Sequence, residues 1–213
     1  MPRNVLSQCN YYNLINGNKE LFLDYKRINE DPHHHEVFKP NLAYYFEQFH
    51  KSPNAYLYAE SYNQYKIKEI NKTIIILKKE YDRASRTETS HKHYIKSLEH
   101  VPFWVFINYI SFGTCSKMYK NMNPKEQTLI SKSLASINTP SMFATFMEYL
   151  TNIRNICAHD ERLYCYICFM RPPELPLMRY FNLSNKSIKS YFGLVIVLKK
   201  FLSPDEFHFF TKI

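Results

Sequence analysis

Apolar positions recur every three or four residues along most of this chain and strict alternation is scarce, so the pattern predicts helices. From Ser61 to Tyr81, the series Tyr62, Tyr65, Ile70, Ile74, Leu77 and Tyr81 forms one apolar face while lysines fill the remainder, which predicts a long basic amphipathic helix. Residues 88–98 continue in the same style. Pro102 opens a further apolar stretch through Tyr119, since proline is tolerated in a first helical turn, and Gly113 is expected to interrupt it. Asn123-Pro124 and Thr139-Pro140 each pair an N-cap residue with proline at the first helical position, so helices should start near 125 and 141. In the second of these, Phe143, Phe146, Leu150, Ile153 and Cys157 fall at spacings of 3, 4, 3 and 4, a stripe suited to burial, with Arg154 beside it.

Arg171 to Pro176 reads Arg-Pro-Pro-Glu-Leu-Pro and should break structure, and residues 188–202 predict a last apolar helix closed by Pro204. The segment Asn29 to Pro40 lacks any period and reads as a loop. There is no internal repeat. Together these elements predict an all-α fold, a helical bundle in one domain over residues 1–213. Within it, residues 1–60 form an irregular, divergent N-terminal part and residues 61–213 the helical core.

Composition narrows the function. A chain of 213 residues with 45% apolar positions can bury a core. Only three glycines occur, so neither a glycine-rich phosphate loop nor a dinucleotide fingerprint can be built. The formal charge of +9 favours a polyanionic partner, and 16% aromatic residues supply stacking faces as well as core volume. The same composition also fits lysines that only solvate helix faces. Five cysteines without a leader-like apolar segment point to reduced thiols in a cytoplasm, and no apolar run approaches the roughly 20 residues of a spanning helix.

The chemistry-bearing run is Arg154-Asn155-Ile156-Cys157-Ala158-His159-Asp160-Glu161-Arg162-Leu163. Arg154 is cationic at any physiological pH and His159 can exchange a proton near neutrality, a pair suited to phosphodiester cleavage. Spacing alone is weak, because Arg27 precedes His33 and His34, and Arg86 precedes His91 and His93, at similar distances. Asn155 sets the first pair apart: it lies one helical turn before His159, where its amide can hydrogen-bond the imidazole and fix the tautomer. On a continuous helix, five residues rotate by about 140°. Arg154 and His159 would then point apart unless the helix ends or a second chain completes the site. The same Arg and His could simply cap a helix C-terminus.

Other clusters are weaker. His33-His34-His35 with His50, or Cys165 and Cys168 with Cys157, offer metal-ligand types without the second pair that a tetrahedral zinc site needs, so no metal and no cofactor is expected. Cys157 falls in the buried stripe and reads as an inert core thiol. Trp104 and Tyr109 read as core. Lys66, Lys68, Lys72, Lys78, Lys79, Arg83 and Arg86 could track a phosphate backbone, partly offset by Glu69, Glu80 and Asp82, with Arg162 adding charge beside the motif.

The run from Arg154 to Leu163 resembles the signature of the Abi-like abortive-infection family (AbiD/AbiF type). Asn10-Tyr11-Tyr12-Asn13 through Phe22-Leu23 resembles its early Asn-Tyr-Tyr motif, and Pro102-x-Trp104 with Ser111-Phe112-Gly113-x-x-Ser116 resembles its central motifs. The resemblance implies a HEPN-superfamily helical bundle, shortened at the N-terminus and after the Asn-Tyr-Tyr motif. It also implies a metal-independent endoribonuclease, active as a homodimer in phage defence, with Arg154, Asn155 and His159 catalytic. The alternative class is a non-catalytic module holding a regulatory RNA in a toxin–antitoxin or defence system.

Overall fold

The computed structural model describes residues 38–135, 137, 139–158, 165–202, 204, 207 and 208, without the side chains of Ala135, Cys157 and Ala158. Ten α-helices and no strand occur among them, in accord with the all-α expectation. The chain divides into two compact units, one of residues 22–141 and one joining residues 1–21 to 142–213.

In the first unit, α1 spans Phe38–Phe49, α2 Ile67–Thr87, α3 Thr89–Leu98, α4 Phe103–Phe106, α5 Phe112–Asn121 and α6 Pro124–Ala135. The expected loop Asn29 to Pro40 is corrected at its end, because α1 already begins at Phe38. Pro40 is its third residue, where a missing N–H costs no helical hydrogen bond. Residues 29–37 lie outside the described set. Within the part expected to be irregular, α1 buries Phe38, Leu42, Ala43 and Phe46 and packs against α4, α5 and α6.

The basic helix starts at Ile67, later than the apolar series suggests, because Asn63 accepts the Tyr65 amide at 3.2 Å and the chain runs through short 3₁₀ turns from Ala55 to Lys66. Tyr62 is buried, with its hydroxyl donating to the Tyr56 carbonyl at 2.9 Å, whereas Tyr65 is 99% exposed. Beyond Ile67 the period holds: Ile70, Ile74, Leu77 and Ala84 are buried against α3 and α5. Glu88, in an extended conformation, separates α2 from α3.

Gly113 does not interrupt a helix. The break falls at Ile110 and Ser111, where the Ser111 hydroxyl accepts the Thr114 amide at 3.1 Å and starts α5, so Gly113 sits in a first turn that a cap secures. Trp104 is also corrected: it is 40% exposed, edge-on to Tyr94, because Phe103 and Phe106 take the inward positions of α4. Tyr56 stacks on both of those rings at 4.9 and 5.0 Å, and Phe46 meets Phe103 at 5.2 Å.

α6 begins at Pro124 and α7 at Pro140, as the two Xaa-Pro signals predict. α7 spans Pro140–Ala158 and forms most of the second unit's described core, with α8 Pro176–Tyr180, α9 Asn185–Lys189 and α10 Tyr191–Phe201. Phe143 and Phe146 pack on Phe201, with ring centroids 6.0 and 5.5 Å apart. The expected single helix 188–202 is two helices, since the Ser190 hydroxyl accepts the Phe192 amide and restarts the chain. That turn drives the Ile188 carbonyl to within 1.9 Å of where a Cβ on residue 193 would stand, so only glycine fits there.

Candidate functional site

α7 carries the start of the motif, Arg154 and Asn155, on a helix whose two faces differ. Phe143, Phe146, Leu150 and Ile153 are buried, as is Met147, and one helical step beyond Ile153 the chain delivers Arg154 and then Asn155 to solvent. Burying that stripe anchors the helix strongly, since each large apolar side chain contributes about 1.5–3 kcal/mol of transfer free energy. Arg154 and Asn155 meet: Arg154 Nη1 donates to Asn155 Oδ1 at 3.3 Å. The amide oxygen is thereby engaged, and Nδ2 is the group left to donate. His159 and Arg162 lie outside the described residues, as does the Cys157 side chain.

Asn152 is a contributor that the sequence reading missed. Its Nδ2 donates to the Glu148 carbonyl at 2.9 Å and contacts Met170 Sδ at 2.9 Å, tying the segment after the motif back to α7. No spacing rule would have singled it out, because its partner lies in a loop.

Of the two rival Arg/His pairs of α2 and α3, burial removes the one made by Arg86 and His91. Arg86 and His93 are exposed, but His91 is fully buried, edge-on to Tyr81 at 4.6 Å and near Phe106 and Tyr109. Its Nδ1 lies 3.2 Å from the Ser85 hydroxyl. Burial pushes its pKa below the ordinary value, with Glu88 opposing weakly, so it stays neutral and out of reach of any large substrate. Arg27, His33 and His34 are outside the described residues.

His50 is paired with a carboxylate, and His33, His34 and His35 lie outside the described residues. His50 Nε2 lies 2.9 Å from Oε1 of Glu126, a carboxylate only 2% exposed that also accepts from Asn123 Nδ2 at 3.0 Å. Glu126 is the third residue of α6, so Asn123-x-x-Glu126 has capping-box spacing, a signal that was present in the sequence. Cys168 is buried, and burial raises its thiol pKa, while Cys165 is exposed. Among the described residues, no three His, Cys, Asp or Glu side chains are grouped to hold a metal ion. A cleft of about 210 Å³ beside His50 is lined by Glu47, Lys51 and His100. The acid and the lysine offset each other there, so it offers little net attraction to a polyanion.

The basic residues of α2 and of its N-cap, Lys66, fall into two sets. Lys66 Nζ donates to the Lys120 carbonyl at 2.7 Å, and Arg83 is held by Glu80 at 2.8 Å and by the Tyr109 carbonyl at 3.2 Å. Lys68, Lys72, Lys78, Lys79 and Arg86 are exposed and have no ion-pair partner among the described residues.

A family model described as Abi-like protein matches residues 33–165, well over half of the chain. The chain belongs to the Abi-like protein family. The match takes in Arg154, Asn155 and His159, and it starts beyond the Asn-Tyr-Tyr segment at residue 10. No curated protein and no solved structure matches the chain. Membership associates this Abi-like protein with abortive infection, the defence of bacteria against phage. No helix among its described residues is long and apolar enough to cross a membrane.

Proposed function

We propose that this Abi-like protein is a metal-independent endoribonuclease of the HEPN type that acts on RNA in phage defence. The observation that carries this reading is the exposed, hydrogen-bonded pair Arg154 and Asn155 on the last turns of a helix whose opposite face is buried. Such a platform presents a guanidinium whose planar fork suits a phosphate. In the reaction, a ribose 2′-hydroxyl attacks the adjacent phosphorus and loses its proton to a basic imidazole. The P–O5′ bond breaks and the leaving oxygen takes up a proton, giving a 2′,3′-cyclic phosphate and a 5′-hydroxyl. His159 transfers protons, Arg154 stabilises the charge on the pentacovalent phosphate, and Asn155 orients the imidazole through Nδ2. The nucleophile belongs to the substrate, so the step calls for no metal.

A second copy completes the site, so that two motifs face one cleft. The unit that carries Arg154 also exposes Phe169, Tyr180, Phe181 and Phe192, apolar surface of the kind that a partner covers. The test compares wild type with His159→Ala on varied RNAs in the presence of chelator. Cutting by wild type alone supports the reading, and equal cutting by both ends it.

The exposed cations of α2 favour a second reading, a module that holds a regulatory RNA without cutting it. A discrete RNA recovered intact with the purified protein would support it.

A further inference from the structure

The outer face of α2 is organised around one stripe. Lys68, Lys72, Ile75, Lys79, Asp82 and Arg86 follow spacings of 4, 3, 4, 3 and 4 and therefore share a side, opposite the buried series Ile70, Ile74, Leu77 and Ala84. All six are exposed. The stripe runs about 27 Å along the helix, at 1.5 Å per residue. The cations engaged in internal contacts, Lys66 at the N-cap of α2 and Arg83 within it, are not members of this series. Its four cations have no ion-pair partner among the described residues, and Asp82 is the one opposing charge.

Two large exposed side chains accompany the cations. Ile75 is 68% exposed in the middle of the stripe, and Tyr65 is 99% exposed three residues ahead of Lys68. A fully exposed aromatic ring at the end of a cationic track suits an unstacked base, since stacking on tyrosine needs a free base face and duplex bases have none. A bilayer fits poorly, because Ile75 is the one apolar member of the stripe.

We propose that this face of α2 is a track for single-stranded RNA, with Lys68, Lys72, Lys79 and Arg86 holding phosphates, Tyr65 stacking a base and Ile75 packing on the strand. The proposal takes its ligand class from the RNA reading above and is independent of the chemistry at Arg154.

The probe is a labelled single-stranded oligoribonucleotide methylated at every 2′-oxygen, which blocks 2′-hydroxyl attack, so binding is read without cleavage. Affinity is measured over a salt series. Replacing Lys72, Lys79 and Arg86 together by glutamine should flatten the slope of log affinity against log salt by about 2, at about 0.7 for each single-strand phosphate contact. Tyr65→Ala should weaken binding about 5- to 150-fold, the range for losing one stacked base, and leave the slope unchanged. All these positions are exposed, and thermal melts of the variants should overlay that of wild type.

An unchanged slope in the triple variant overturns the proposal, as does an equal flattening on replacing Lys125 and Lys132 of α6. Polyglutamate that competes as well as RNA of equal charge, with Tyr65→Ala silent, also overturns it and assigns the face to an acidic protein. Parallel assays on unmethylated RNA separate the two readings. A protein that binds through the stripe yet never cuts contradicts the nuclease alone, and one that binds and cuts undiminished without the stripe contradicts the track alone.

Discussion

Arg154 and Asn155 are neighbours on α7 whose side chains meet in solvent, guanidinium Nη1 to amide Oδ1 at 3.3 Å. The contact leaves Asn155 Nδ2 as the donor that can act on a further group, and it leaves most of the Arg154 fork free for a phosphate. Arg154→Lys keeps the charge but loses the planar fork, so RNA cleavage should fall about 100-fold or more while the melting temperature is unchanged. Cleavage near the wild-type rate would remove Arg154 from the mechanism.

In the proposed mechanism Asn155 positions the imidazole, and Asn155→Asp tests this through a pH profile. The aspartate offers Arg154 the same acceptor but no donor, and it places a negative charge four residues before His159 in the chain. The limb of the rate profile due to the imidazole should move to higher pH. A lowered rate with an unmoved profile would indicate a structural role only.

The buried stripe predicts a stability effect. Phe146 is fully buried and edge-on to Phe201 at 5.5 Å, so Phe146→Ala should destabilise by about 3–5 kcal/mol in denaturant titration. Ile153→Val should cost about 0.5–1.5 kcal/mol.

Much of this was legible beforehand, for a physical reason. Asn-Pro and Thr-Pro signals mark local backbone geometry, which neighbours in the chain determine, and α6 and α7 start where those signals stand. The stripe at Phe143, Phe146, Leu150 and Ile153 is likewise a local period that a core simply accepts. Trp104 could not be placed this way, since a four-residue helix has no period to show which rings face inward. Ser111 and Ser190 each restart the chain within an apolar run, and a hydroxyl cap is hard to tell from a solvated serine in sequence. The exposure of Lys68, Lys72, Lys79 and Arg86 followed from the period, whereas the engagement of Lys66 and Arg83 depended on carbonyls of Lys120 and Tyr109 far along the chain.

His91 makes stability depend on pH. Burial lowers its folded-state pKa below the unfolded value near 6.5, so the unfolded chain binds a proton first as pH falls. Its contribution is therefore complete above that value and declines as pH drops through it toward the folded pKa. Against His91→Phe, wild-type stability should fall more steeply between neutral and mildly acidic pH. Parallel pH dependences in urea titrations would contradict this assignment.

Glu126 and His50 form a largely buried pair joining α1 to α6. Removing one partner strands the other, so Glu126→Ala should destabilise by about 1–3 kcal/mol, whereas replacing both by apolar residues of similar volume should cost less. Equal losses would show that the pair does not act as a unit.

RNA cleavage by the proposed site that begins at Arg154 should run through the ribose 2′-hydroxyl. Its most direct test follows one labelled strand against the same strand with deoxyribose at the cleaved position, in the presence of chelator. Wild type should cut the ribose strand to a 2′,3′-cyclic phosphate and a 5′-hydroxyl and leave the deoxy position intact. Cutting of both strands alike, or cutting by His159→Ala at the wild-type rate, would contradict this mechanism.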